Sequence, residues 1–277
     1  MLELDPIAIK VGKADTTLTH FGGLTKLPKR KPAIHHFISL MKSEEDWHNL
    51  VLLLEGLEGT ENGLSKALKV TVLHKIINED KFSILVKIVG NPEKYGFRLT
   101  DPDISEGVIT AIHQHASLHA WDSQRVRHAF KAADQFVDLS TRDFYRADPT
   151  VQRNPHLIAS ALEMITKLIS LGVAGDLEKA RGREYAERFM AVVKQENLWK
   201  KNDLMPKSHM RWQRYWLPPV IGMWNAVKQA LAVAEEIKLE DRQLTQDVEE
   251  NLRLQLAEVK LTSRVLTHDL ESCGWLF

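Results

Sequence analysis

The sequence contains very little cysteine and no long apolar run. Cys273 is the one cysteine among 277 residues, which rules out an internal disulfide and favours a reducing compartment. No stretch approaches the roughly 18 consecutive apolar residues that a membrane-spanning helix needs. The N-terminal stretch carries Glu3 and Asp5 and no apolar core, so it resembles neither a secretory signal nor an Arg- and Ser-rich transit peptide. Removal of a presequence, or trimming of the chain, would leave the same pattern.

The chain also lacks net charge and recognisable catalytic motifs. Lys plus Arg is 37 and Asp plus Glu is 37, so nucleic-acid binding would depend on local basic patches. We find no phosphate-binding glycine loop, no nucleophile elbow and no dinucleotide fingerprint. We therefore expect no catalytic residue, no metal site and no cofactor, and keep an uncharacterised enzyme as an alternative.

From residue 43 onwards, apolar residues recur with helical spacing. Asp101, Asp122 and Asn154 stand directly before such segments, where N-cap residues are expected. No segment shows sustained alternation of apolar and polar residues, so we predict no sheet. Short loops between amphipathic helices make neighbouring helices antiparallel. The prediction is an all-α fold of stacked antiparallel helical hairpins, similar to an α-solenoid, with a long C-terminal helix pair near residues 219–238 and 240–270.

Composition divides the chain into three predicted segments. Residues 1–42 form an irregular arm, punctuated by glycine and proline and carrying seven basic and three acidic residues. Residues 43–200 form the helical-hairpin body. Residues 201–277 contain a connector rich in tryptophan and basic residues, with a break between Pro206 and Pro219, and then the C-terminal hairpin.

Two basic segments are the candidate sites for a partner or for nucleic acid. The arm places four cations beside two prolines in the stretch KLPKRKP, where they could bind phosphates or an acidic partner. The second segment interleaves arginine and tryptophan, which is typical of single-strand stacking surfaces and of protein-interface anchors. The alternatives are a solvated arm and a buried connector whose tryptophans fill a junction. The candidate residues are Lys26, Lys29, Arg30, Lys31, Lys200, Lys201, Lys207, Arg211, Trp212, Arg214 and Trp216.

Three histidines, His113, His115 and His119, lie on one predicted helix. The spacing of His115 and His119 could place two imidazoles on one metal ion. Because no HExxH motif and no third ligand lie nearby in the sequence, we favour a partly buried helix surface over a metal site.

Residues 64–140 contain two predicted helix pairs with a connector between them. A helix over 64–77 leads through Glu79-Asp80 into a second helix, and the glycine-containing connector 93–101 then precedes a new helix pair over 103–140. This arrangement resembles pentatricopeptide-type helical repeats, a family in which each helix pair ends in a similar connector. The resemblance implies stacked helix pairs in an organellar protein, in the first place a mitochondrial one, with a cytoplasmic location as the alternative.

The resemblance also implies partners, because such proteins bind RNA or ribosomal components. In the family, a polar residue in the first helix of each repeat reads an RNA base, and Glu106 or Gly107 takes that position here. An acidic residue facing RNA would repel phosphate, so we expect protein contact rather than sequence-specific RNA reading. The predicted function is a non-catalytic helical scaffold in an organellar gene-expression or assembly complex, such as a ribosome-associated factor. An RNA-binding factor of the pentatricopeptide type is the alternative.

Overall fold

Helices dominate the computed structural model, which describes residues 7–11, 14–18, 30–60, 63–118, 120–146, 148–196 and 210–262. The chain divides into two units, Met1–Ser43 and Glu44–Phe277. The predicted all-α class is confirmed for the helical unit. Among the described residues, no helix combines the length and apolar character that crossing a bilayer requires.

The N-terminal unit contains regular structure that the sequence analysis missed. Strands β1 (Ile7–Val11) and β2 (Ala14–Leu18) pair antiparallel, and helix α1 (Arg30–Leu40) follows. The predictions of an irregular arm and of no sheet are therefore wrong for these segments. Strands of five residues are too short to show a period, although β-branched residues favour them. In α1, the buried Ile34 and Ile38 are four residues apart, a helical spacing that the neighbouring prolines obscured.

The second unit is a sequence of helices joined mostly by short turns. The helices are α2 (Glu44–Glu58), α3 (Lys66–Asn78), α4 (Phe82–Val89), α5 (Pro92–Tyr95), α6 (Pro102–Ser117), α7 (Ser123–Ser140), α8 (Asp143–Arg146), α9 (Pro149–Gln152), α10 (Pro155–Ser170), α11 (Asp176–Glu196), α12 (Met210–Ala232) and α13 (Arg242–Thr262). Helices α3 and α4, α6 and α7, α10 and α11, and α12 and α13 pack as consecutive pairs. Helix α10 is central, because α6, α7, α11 and α12 all pack against it.

The three predicted N-caps are confirmed. The Asp101 side chain accepts a hydrogen bond from the N–H of Asp103 at 3.1 Å. Asp122 caps α7 in the same way, and Asn154 caps α10, with proline at the first helical position. Each cap satisfies backbone donors that have no partner within the helix. Local chemistry therefore sets where these three helices begin.

Three hairpins reverse direction at a residue with positive φ. Asp80, Gly172 and Lys238 have φ values of 49°, 70° and 50°. In each turn, the N–H of the following residue reaches back to the carbonyl five residues earlier, at 2.9–3.2 Å. This is the Schellman arrangement, which satisfies the last carbonyls of a helix. The chain can therefore end one helix cleanly and reverse, with three residues between α3 and α4, five between α10 and α11, and nine between α12 and α13.

Helix α12 begins earlier than the sequence predicts. We expected a break up to Pro219, but the helix runs from Met210 through Pro218 and Pro219 to Ala232. Proline inside a helix costs roughly 3 kcal/mol because it removes a hydrogen bond and crowds the preceding turn. Burial of the apolar face of α12 against α10, which includes Val220, Met223 and other residues, outweighs that local cost.

Candidate partner-binding surface

The structure describes only part of the predicted basic segments. Arg30 begins α1, and Lys31 beside it is exposed. Arg211, Trp212, Arg214 and Trp216 lie in the first turns of α12, and their side chains are outside the described part of the structure. The remaining candidates also lie outside the described residues: Lys26, Lys29, Lys200, Lys201 and Lys207.

The histidines of α6 are held by carboxylates on different elements. His113 Nδ1 lies 3.0 and 3.1 Å from the two oxygens of Glu163 on α10, and both side chains are buried. His115 Nδ1 lies 2.8 Å from Asp80, which also accepts from Arg125 at 2.8 Å. His119 lies outside the described residues, among which no group of three potential ligands could hold a metal ion. The two described histidines therefore connect helices.

Asp80 joins the turn between α3 and α4 to α6 and α7. Burial acts to raise the pKa of Asp80, but hydrogen bonds with His115 and Arg125 outweigh it, so this pKa lies below its ordinary value. The ring of Phe82 stacks on His115, with the centroids 4.2 Å apart. This cluster connects the first helix pair to the second and fixes their register.

Glu106 and Gly107, the alternatives for the position that reads a base in pentatricopeptide-type repeats, lie near helix α3 and its neighbouring charges. A Cβ at Gly107 would lie 2.2 Å from Leu73 Cδ2, so this position belongs to the interface of α3 and α6. Glu106 is half-buried, and burial, with help from Asp103 and against Lys66, raises its pKa to about 7. Gly107 offers no side chain, and Glu106 is a half-buried acid near Asp103.

The raised pKa of Glu106 should make stability depend on pH. In the folded chain this group holds its proton up to about pH 7, against an ordinary value of 4.5. The contribution of the protonated Glu106 carboxyl to the free energy of unfolding is complete below pH 4.5 and is lost as the pH rises through 7. Glutamine does not titrate, so the free energy of unfolding of Glu106→Gln should rise by about 1 kcal/mol relative to that of the native chain between pH 5 and pH 8. This is less than the whole pKa shift would correspond to, because solvent screens a half-exposed group. Urea unfolding at both pH values measures the difference. Glu93→Gln, a change at an exposed site, is the control, and an equal gain in both variants would contradict the assignment.

An exposed apolar surface lies where two helix pairs turn. We call Leu118, Leu171, Val173 and Leu177 the turn surface; they are 51%, 41%, 40% and 88% exposed. The two turns are neighbours, because Arg127 on α7 donates to the Val173 carbonyl at 2.7 Å. Exposed apolar side chains grouped in this way are typical of protein-binding surfaces.

The turn surface was not predicted from the sequence, although the sequence contains one signal of it. Leu177 lies off the buried stripe of α11, which includes Tyr185 and Phe189. An apolar residue outside its helix stripe indicates a second contact face. The grouping of Leu177 with Leu118 depends on how two hairpins pack, which the local pattern does not reveal.

Comparison with known proteins identifies the family. The sequence model of the family described as mitochondrial ribosomal protein mS27 matches residues 1–272. No curated protein matches the chain. A ribosomal protein is a non-catalytic component of a gene-expression complex built from protein and ribosomal RNA, so the predicted scaffold role and mitochondrial location are confirmed. The chain belongs to the mitochondrial ribosomal protein mS27 family.

Proposed function

We propose that the chain is a helical scaffold that is held in its ribosomal complex mainly by protein contacts at the turn surface. In this proposal the hairpins α3–α4 and α6–α7 are pentatricopeptide-type pairs that give the body its shape and do not read RNA sequence. Residues 1–42 and 201–277 are two flanking contact segments around the body over 43–200. The observation that carries the proposal is the group of exposed apolar side chains at adjacent turns.

The position of Gly107 supports a scaffold over a sequence-reading repeat. It has no side chain, and its backbone lies against the buried Leu73. Base reading by a helical repeat needs two or three side chains directed at each base. The neighbouring Glu106 cannot substitute, because it is half-buried beside Asp103.

The charges around the turn surface favour a protein partner. Arg127 is engaged by the Val173 carbonyl and lies 3.7 Å from a carboxylate oxygen of Glu178. Lys167 lies over the Trp121 ring, 5.2 Å from its centroid. These cations are occupied, so what the surface chiefly presents is apolar. An apolar patch with a polar rim matches the anatomy of protein interfaces.

Charged residues on the turn surface should detach the protein partners without unfolding the chain. Leu171→Asp with Leu177→Asp should lower capture of ribosomal proteins about tenfold, since burial of such anchors dominates interface energy. The measurement is mass spectrometry of proteins captured by the tagged chain from mitochondrial extract, with and without RNase. Leu254→Asp, at an exposed leucine on α13, is the matched control. Unchanged capture by the double variant in RNase-treated extract would contradict the proposal.

The interleaved arginine and tryptophan residues at the start of α12 favour a second candidate, direct RNA binding. If Lys29, Arg30, Lys31, Arg211 and Arg214 each bind a phosphate, the log–log dependence of affinity on salt should have a slope of roughly −3.5, because each contact on a single strand contributes about −0.7. Trp212→Ala would then lower the affinity further by removing a base-stacking ring. Tight RNA binding by the isolated chain with that slope would place this candidate first.

A further inference from the structure

Two connectors meet on the helical unit, one between α5 and α6 and the other between α7 and α10. The N–H of Leu99 donates to the hydroxyl of the buried Tyr145 at 3.0 Å. The Arg98 guanidinium lies 5.4 Å from the centroid of the Phe144 ring. Phe144 packs edge-on against Tyr145 yet remains 39% exposed. A buried hydrogen bond thus fixes an exposed pair of an arginine and an aromatic ring.

The same connectors carry arginines that no carboxylate or carbonyl engages within the described part of the chain. Arg98, Arg142 and Arg153 are exposed and make no ion pair or side-chain hydrogen bond there. The other arginines of the helical unit with described side chains are all engaged by a carboxylate or a carbonyl. They are Arg125, Arg127, Arg181, Arg183, Arg188, Arg242 and Arg253. Among the described arginine side chains of the helical unit, those without a carboxylate or carbonyl partner therefore all lie on the two connectors.

Two carboxylates on these connectors with described side chains are engaged elsewhere. Asp148 caps α9 and accepts from the backbone of Thr150 at 2.9 Å. Asp101 caps α6 and pairs with Lys66 at 3.1 Å. The guanidinium donors of Arg142 and Arg153 therefore remain available to an anionic group, although the formal charge of the chain is zero.

We propose that Arg98, Arg142, Arg153 and Phe144 form an RNA contact site, which we call the connector site. Guanidinium groups bind phosphate oxygens through paired N–H donors. An exposed aromatic ring stacks on a base without regard to its identity. The connector site therefore holds a single-stranded or looped stretch of RNA by its backbone and one stacked base, and it does not read sequence.

RNA fits the connector site better than a protein partner does. Among the exposed large apolar side chains of the described residues, Phe144 is the one on these connectors, so there is no apolar centre for a protein interface of the usual kind. The site goes beyond the proposed scaffold role. It also contains no residue of the turn surface, so the two can be tested separately.

The test is RNA binding by the full chain across a series of salt concentrations, with fluorescein-labelled oligouridine as the probe and anisotropy as the readout. The connector triple variant replaces three arginines together: Arg98→Gln, Arg142→Gln and Arg153→Gln. Its slope of log affinity against log salt concentration should be less steep by about 2, since three phosphate contacts are lost. Phe144→Leu keeps an apolar side chain without the stacking ring and should weaken binding about fivefold or more at fixed salt.

The matched control removes three engaged arginines. Arg127→Gln, Arg242→Gln and Arg253→Gln change the net charge by the same amount, and the slope should stay close to that of the native chain. Circular dichroism and thermal melts check that every variant is folded. Ultraviolet crosslinking of the same probe should label the peptide that contains residues 142–153.

Three results would overturn the connector site. The first is equal slopes for the connector triple variant and the control triple variant. The second is a slope that responds only to replacement of Lys29, Arg30, Lys31, Arg211 and Arg214. The third is intact RNA binding by the connector variant together with loss of a ribosomal protein from RNase-treated extract, which would assign the connectors to a protein. None of these depends on Leu171 or Leu177, so the scaffold proposal stands or fails separately.

Discussion

Replacing His113 by alanine is expected to destabilise the helical unit by about 3–5 kcal/mol, because it leaves Glu163 buried without its partner. Glu163 is 1% exposed, and both of its carboxylate oxygens lie within 3.1 Å of His113 Nδ1. A buried carboxyl that loses its hydrogen-bond partner bears the full cost of desolvation. Urea unfolding followed by circular dichroism gives the free energy of unfolding for native chain and variant.

A double variant distinguishes loss of the hydrogen-bonded pair from simple loss of packing. His113→Leu with Glu163→Leu removes both polar groups, and it should recover most of the stability that His113→Ala loses, as replacement of buried polar pairs by apolar residues often does. Glu163→Gln, which keeps an acceptor of similar shape, should cost less than His113→Ala. A double variant as unstable as the single one, or a loss below about 1 kcal/mol for His113→Ala, would show that this pair does not join α6 to α10.

The second large effect is expected in the core at the centre of the helix pairs. Ile165 on α10 is fully buried, and a Cβ at Gly182 on α11 would lie 3.5 Å from its Cγ1. Ile165→Ala should cost about 2–5 kcal/mol, from lost burial and from the cavity that packed neighbours cannot fill. Phe130→Ala should fall in the same range, because this buried ring packs edge-on against Tyr185.

The control for the core variants is Leu177→Ala, since Leu177 is 88% exposed and a surface truncation should change stability by less than about 0.5 kcal/mol. Denaturant melts compare all three variants under the same conditions. If Ile165→Ala lowered the free energy of unfolding as little as the control variant does, this face of α10 would not be closely packed in solution.

Much of the helical architecture could be predicted because it depends on local interactions. The carboxylate of Asp122 reaches only the N–H groups two and three residues ahead, so the sequence around it contains all the information needed to start α7. Apolar spacing likewise identifies Val126, Phe130 and Val137 as one buried face. The same reasoning failed at Pro218 and Pro219, where packing of α12 on α10 overrides a local preference.

The candidate surfaces could be predicted much less well. The basic segments were visible as composition, but composition does not show which cations are already engaged. Lys66 looks as free in the sequence as Arg98, yet it pairs with Asp101 and Asp103 in the structure. The turn surface likewise groups Leu118 and Leu171, exposed residues from two different hairpins. Surface chemistry of this kind depends on long-range neighbours.

The sequence by itself determined the helical class, the starts of α6, α7 and α10, and the faces that these helices bury. It did so because caps and helical periods involve groups a few residues apart. Only the tertiary structure decided that His113 meets Glu163, 50 residues away, and that His115 meets Asp80, 35 residues away. It also decided that, among the described residues, no carboxylate engages Arg98, Arg142 or Arg153, while the Arg98 guanidinium lies near the Phe144 ring. Pairing between distant side chains follows from how the hairpins stack, and stacking depends on the whole set of buried faces.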